Sequence, residues 1–311
     1  MKKVVYATVY WGDEYGKPPK TSTEKALDEG LAQDILQRIE RVRNIKIAEV
    51  SSDHYHVKGI GEEAFRLLMG ALQPAAHLIS RGSVRVWKTY DRQELELAPL
   101  LMWRLTNQAI EDDYYDLKED GYQGGPQASH RRCAVCRAEL EQARDLLVDV
   151  RKMGKRDLSL TYSFEIILSL RLARMLQEAG FSGFTLRPVW HYRRPHRGEP
   201  PLYQLVVTNI LPPMASPPTE FEHEQRCEAC GTETKFIKHT HWWGRIQYYE
   251  ETEIYYPKSV LERMADFNAT WEKIGELPSW SRLVIITPRV YGWLKEQGVK
   301  GWSAEPVFLV E

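Results

Sequence analysis

The sequence predicts an α+β fold: mixed sheets, a C-terminal region carrying one β-α-β-like unit twice, and a pair of cysteine knuckles. Three observations lead there. Short β-branched runs alternate with amphipathic stretches of helical period. The segment 164–190 recurs at 282–308 in constant register, with Gly180, Gly183 and Pro188 answered 118 residues later by Gly298, Gly301 and Pro306. The four cysteines fall in two C-x-x-C pairs, Cys133/Cys136 and Cys227/Cys230, far apart in the chain.

Taken in order, 3–11 is rich in Val, Tyr and Thr and predicts a strand. Thr21 and Glu24 form a capping box, and Leu27, Leu31, Ile35, Ile39 and Val42 then recur three or four apart, which predicts a helix ending near Asn44. Strands are expected at 45–50 and 55–59, a helix from 62 to 72 stopped by Pro74, and an alternating strand at 84–89. Residues 1–110 form an α/β region with no chemical motif. The run 111–120 is acidic with Tyr114 and Tyr115 embedded, a composition that fits a solvated surface segment. After Cys136, a helix is predicted over 138–152 with Leu140, Leu147 and Val150 turned inward.

The repeated unit has a physical grammar. Ile166-Ile167-Leu168 and Val284-Ile285-Ile286 are buried strands; Ser169 and Thr287 are N-caps; a short helix follows, ended by glycine, and a strand with Pro-Val returns. Ile167 matches Ile285, Arg171 matches Arg289, and Glu178 matches Glu296. Between the copies, 203–207 predicts a strand and 211–218 a proline-rich crossing to the second cysteine pair. The boundaries read from sequence are 1–110 and 111–311.

The totals exclude several classes. A chain of 311 residues buries a core without disulfides, and a net charge of −1 argues against a global electrostatic attraction to nucleic acid. No apolar run approaches the roughly 20 residues of a membrane helix, and the first residues lack a secretory h-region. A cytoplasmic protein is expected.

Paired C-x-x-C cysteines in a reducing compartment point to metal. Glycine after the second cysteine, as at Gly231, supplies the positive φ of a knuckle turn. Each knuckle offers two thiolates and a closed tetrahedral site needs four, so Cys133, Cys136, Cys227 and Cys230 are the expected ligands of one structural Zn2+. Arg137 stands where the first knuckle would carry glycine. His130, three residues before Cys133, is a candidate substitute ligand. His239 and His241, two apart on a strand, point to one side and invite a second metal reading, although packing against Trp242 and Trp243 explains them equally. Arg187, His191, Arg193, Arg194, His196 and Arg197 form a short basic cluster that suits phosphate or a solvated loop. Nucleophile elbow, phosphate loop, zinc-protease helix and paired-carboxylate motifs are all missing, so no catalytic residue is assigned.

These knuckles, flanking one β-α-β unit and followed by another, resemble the double-CXXCG motif proteins. The C-terminal half is also similar to a wider group of bacterial immunity proteins of polymorphic toxin systems. The segments 166–189, 202–212, 227–231, 265–270 and 283–307 carry the resemblance, which runs from Cys133 to the end; Arg137 is a departure. The resemblance implies a non-catalytic cytoplasmic protein that binds and blocks a cognate toxin. Trp242, Trp243, Tyr248 and Tyr249 are the candidate aromatic anchors of its binding face, with filling of the core beside the zinc as the alternative. The alternatives are a nucleic-acid-associated zinc-ribbon protein and an enzyme built around His239 and His241.

Overall fold

The computed structural model describes residues 2–11, 37, 47–50, 54–60, 66–67, 70, 79–107, 109–110, 130–238, 240–243, 246–250 and 252–311; in strands up to residue 87 and between 240 and 250 the backbone is described. The chain divides into two compact units, 1–91 with 238–252, and 92–237 with 253–311, whereas the sequence alone puts the boundary near residue 110.

The first unit begins with β1 (Lys2–Trp11), β2 (Ile47–Val50), β3 (His54–Ile60) and β4 (Ile79–Thr89), close to the strands expected from sequence. Of the helix expected over 27–42 only residue 37 is described, and of that over 62–72 residues 66, 67 and 70, all of them helical; the acidic run 111–120 and His239 lie outside the described residues.

The second unit opens with α1 (Arg92–Leu97) and β5 (Leu100–Leu105). Then come β6 (His130–Arg132), β7 (Glu139–Gln142), β8 (Leu146–Val148), a 3-10 helix (Val150–Met153), β9 (Leu158–Leu160), β10 (Ile166–Ser169), α2 (Leu170–Glu178) and β11 (Phe184–His191). Next are β12 (Leu202–Val207), β13 (Phe221–Arg226) and β14 (Glu233–Ile237). The chain visits the first unit as β15 (Thr240–Trp243) and β16 (Ile246–Glu250), completing the sheet β15-β16-β4-β1-β3-β2. It returns with β17 (Tyr255–Pro257), a second 3-10 helix (Lys258–Arg263), β18 (Phe267–Ala269), β19 (Ile274–Glu276), β20 (Ser279–Ser281), β21 (Val284–Ile286), α3 (Pro288–Glu296) and β22 (Trp302–Val310).

The helix predicted over 138–152 is not formed. That stretch is β7, β8 and the 3-10 helix, and Leu140 is exposed rather than inward. The burial runs with period two, Leu146 and Val148 fully buried around a half-buried Leu147, so the leucines fit a strand. Glu139–Gln142 is pulled into the hairpin that the first knuckle closes.

Two five-stranded sheets dominate this unit, β8-β11-β12-β10-β9 and β17-β22-β5-β21-β18. Position by position they share strand directions: the first pair is parallel, and the other three are antiparallel. A six-residue strand, β12 or β5, sits at the centre of each. Both sheets are covered on both faces, which explains the continuous apolar runs. Leu101, Trp103, Ile166, Leu168 and Ile286 turn toward a core filled by Leu172, Leu176, Val290 and Leu294 of the two helices. The alternate residues Leu100, Met102 and Ile285 enter a second cluster with Tyr256, and Ile167 a third with Leu146 and Val148. Phe267, fully buried, is met edge-on by Trp103, Phe181 and Phe184.

The helices α2 and α3 follow the caps Ser169 and Thr287 expected from sequence and stop just before Gly180 and Gly298; at matching positions they bury Leu172, Ala173, Leu176 and Val290, Tyr291, Leu294. Ser169 caps α2 by accepting from the Leu172 N–H at 3.1 Å. Before each helix an aspartate ties the cap to the next turn. Asp157 accepts from Ser169 Oγ at 2.8 Å and from Arg171; Asp266 accepts from Thr287 Oγ1 at 3.4 Å and from Arg289 at 3.2 Å. Gly183 (φ 88°) follows α2, and a Cβ there would lie 2.0 Å from the Phe267 carbonyl oxygen, so side chain and backbone angle both exclude other residues.

Candidate metal centre

Two hairpins, β6–β7 and β13–β14, present the cysteine pairs, and their tips are built alike. The Cys133 N–H donates to Ala138 O at 2.9 Å and the Arg137 N–H to Cys133 O at 2.9 Å; the Cys227 N–H donates to Thr232 O at 2.9 Å and the Gly231 N–H to Cys227 O at 2.8 Å. Both turns need a left-handed residue just after the second cysteine. Gly231 supplies it at φ 68°, and Arg137 adopts it at φ 63°. Arginine therefore closes the first knuckle as glycine closes the second, at a strain of about 1 kcal/mol.

The sulfurs converge. Cys133 Sγ lies 4.0 Å from Cys227 Sγ, and Cys136 Sγ lies 3.7 Å from Cys230 Sγ. All four sulfurs lie within 4.8 Å of one another, although each pair bridges 94 residues of chain. A tetrahedral ion with metal–sulfur bonds of about 2.3 Å sets its sulfurs about 3.8 Å apart. The donor set therefore fits a single tetrahedral thiophilic ion.

Cys133 and Cys227 are buried, while Cys136 and Cys230 are partly open. Their acidities are set by neighbours. The hydroxyl and N–H of Thr232 bring the Cys230 thiol down to about 6. The N–H groups of Cys136 and Val135 lower Cys133. Burial pushes Cys136 up to about 12. N–H and O–H donors aimed at sulfur are what a thiolate ligand requires, and an ion arriving here displaces the proton that burial leaves on Cys136.

The other residues singled out from sequence fall elsewhere. His130 is buried, with Nε2 3.2 Å from Glu165 Oε1 and 3.8 Å from Glu139 Oε2, so it joins a carboxylate cluster rather than the sulfurs. His241 is a strand residue of the first unit, paired with Tyr248. Part of the basic cluster is offset by acid: Arg187 and His196 approach Asp145 at 3.7 and 4.0 Å, and His191 approaches Asp149 at 3.7 Å.

Sequence reasoning missed Glu139, Glu165 and the aromatic wall beside the first knuckle. A concavity of about 360 Å³ is lined by Arg132, Arg137 and Glu139 of the knuckle hairpin, by Tyr162, Ser163 and Phe164, and by the 278–280 turn with Trp280. Tyr162 and Phe164 are 63% and 46% exposed, Phe164 holds φ 64°, and the buried Nε1 of Trp280 has no hydrogen-bond partner among the described residues. The φ of Phe164 is a strain no sequence pattern signals.

No model of a known family matches the chain, and no curated protein matches it. No described helix is long and apolar enough to cross a membrane.

Proposed function

We propose that this chain is a zinc-stabilised binding protein without catalytic activity, an immunity protein that neutralises a cognate bacterial toxin in the cytoplasm by stoichiometric binding. The observation that carries the reading is the meeting of four sulfurs from hairpins 94 residues apart. A closed four-thiolate shell leaves no coordination position for substrate, which makes the ion structural, and zinc is the usual choice for such a shell. Fixing two distant hairpins lowers the ordering entropy lost when a partner docks.

The docking face in this reading is the concavity beside the first knuckle. Exposed Tyr162 and Phe164, together with Arg137 and Trp280, are the residue types that dominate binding energy. Val135 at the knuckle tip, 72% exposed, extends the patch. Arg137 and Phe164 both occupy strained backbone, and such strain concentrates at functional positions.

Duplication underlies this scaffold in the same reading. The central strands β5 and β12 begin 102 residues apart (100 and 202), the knuckles 94 (133 and 227), β8 and β17 109 (146 and 255), and the β-α-β units 118 (166 and 284). Two tandem copies, 100–191 and 202–310, that exchanged central strands account for all four offsets.

The test is co-expression with the product of each neighbouring reading frame. A one-to-one complex that blocks the neighbour's toxicity, weakened at least tenfold by Phe164→Ala, is expected. The reading is abandoned if the chain neither binds nor neutralises any neighbouring product.

A further inference from the structure

Behind the first knuckle, three ligand-type side chains meet without sulfur. His130 is 5% exposed, and its Nε2 faces Glu165 Oε1 at 3.2 Å and Glu139 Oε2 at 3.8 Å; the three atoms lie within 4.8 Å of one another. Each carboxylate has its other oxygen engaged elsewhere. Glu139 Oε1 accepts from Arg132 Nη2 at 3.2 Å, and Glu165 Oε2 accepts from Gln204 Nε2. Gln204 is itself held by Gln142, whose Nε2 donates to Gln204 Oε1 at 2.8 Å. Arg132, Gln204 and Gln142 thus occupy the positions of outer partners that orient metal-binding carboxylates.

A neutral His130 has one Nε2–H at most, which satisfies one of two facing carboxylate oxygens, and with Nε2 unprotonated it is a cation ligand. Arg132 pairs with one of the two carboxylates, and either a second proton on the imidazole or a cation beside Nε2 balances the other. Nitrogen and oxygen ligands at about 2.0–2.2 Å from an ion stand about 3–4 Å from each other, and the two separations from His130 Nε2, 3.2 and 3.8 Å, fall in that range. Glu139 also belongs to the wall of the 360 Å³ concavity, so the cluster has an approach from solvent. The fold does not require this arrangement. In the second knuckle hairpin, position 224 corresponds to 130, and Glu224 there is simply neutralised by Lys235 at 2.7 Å.

We propose that His130, Glu139 and Glu165 form a second metal site, for an exchangeable divalent first-row cation such as manganese or zinc. One nitrogen and two carboxylate oxygens favour such an ion, and three protein ligands leave coordination positions free for water or for an anionic group entering from the concavity. This site is independent of the four cysteines and of any partner.

The experiment uses the full chain with its cysteine site loaded with zinc. Mn2+ is titrated in and the free ion followed by its electron paramagnetic resonance signal; zinc uptake is counted in parallel by mass spectrometry. One Mn2+, or one further Zn2+, bound per chain is expected. His130→Ala and Glu165→Gln should each weaken that binding about 100-fold or more, while the cysteine-bound zinc stays at one per chain. Glu165→Gln keeps size and shape, so it decides the matter should His130→Ala misfold. Neither metal binding beyond the cysteines, or both variants binding as the native chain does, overturns the proposal.

Discussion

The two knuckle halves of the second unit repay comparison. They share a five-stranded sheet of the same order and directions, a helix with the same buried triplet, an aspartate–cap–arginine tie and a knuckle turn with the same backbone bonds. Three differences lie close to the first knuckle. The first half has Arg137 where the second has Gly231. It has a tight turn at 162–165 where the second inserts the β19–β20 hairpin. It buries His130 between two carboxylates where the second pairs Glu224 with Lys235. The shared parts hold the scaffold, and the differences gather around one concavity. Under the two proposals above, the departures rather than the shared parts are where ligand chemistry sits.

The largest effect that can break this comparison is loss of a sulfur. Cys136→Ser and Cys230→Ser remove equivalent ligands from the two hairpins. Both should abolish tight metal binding and cost about 3 kcal/mol or more, measured by denaturant unfolding with metal content in parallel. Unequal metal loss would mean that the two knuckles do not share one ion.

Next comes the glycine after each helix. Gly183→Ala drives a Cβ into the Phe267 carbonyl and should cost about 3 kcal/mol, whereas Gly301→Ala meets the Asn107 side chain, whose displacement breaks its hydrogen bond to Leu158 O but moves no backbone, and should cost less. Chemical denaturation of both variants ranks them. The reverse order would contradict the packing described around Phe267.

A smaller effect lies in acid. Arg151, Nε and Nη2 at 2.8 and 2.7 Å, holds the Asp149 carboxyl down at about 2. A depressed folded-state value means stability that is present above the unfolded carboxylate range near 4 and lost as pH falls from there toward 2. Because Arg151 is two-thirds exposed, that contribution is about 1–2 kcal/mol after solvent screening. Asp149→Asn should flatten the stability–pH curve in this window.

The caps differ more finely. Ser169 accepts from the Leu172 N–H, and Thr287 makes no side-chain cap bond. Ser169→Ala should cost about 1 kcal/mol and Thr287→Ala less, by thermal unfolding. Smallest of all, Arg137→Gly should leave stability unchanged or raise it by about 0.5–1 kcal/mol, since glycine takes φ 63° without strain. Under the proposed function it should nevertheless weaken partner binding.

Much of this plan was legible in the residues. The cysteine spacing pointed to a shared ion because thiolate ligands constrain their own turn. The 118-residue register of Gly180, Gly183 and Pro188 pointed to the matching elements, since caps and left-handed glycines are local requirements. Under the proposed duplication, the matches at 94, 102 and 109 residues stayed hidden because the connections between them differ in length. Leu140, Leu147 and Val150 misled as a helical stripe, because the knuckle's return strand, a non-local pairing, overrides local period. The union of His130 with Glu139 and Glu165 had no signature at all, as Glu165 comes from the loop before β10, 35 residues away. The candidate aromatic anchors Trp242, Trp243, Tyr248 and Tyr249 lie on β15 and β16 of the first unit, and their side chains fall outside the described residues.

The most direct measurement is the metal content and melting temperature of the chain purified under reducing conditions, before and after dialysis against a strong chelator. One tightly held zinc per chain, and a large fall in melting temperature only when it is stripped, is the predicted result. A native chain that carries no metal and melts at the same temperature with chelator present would contradict the claim that one ion joins the two hairpins.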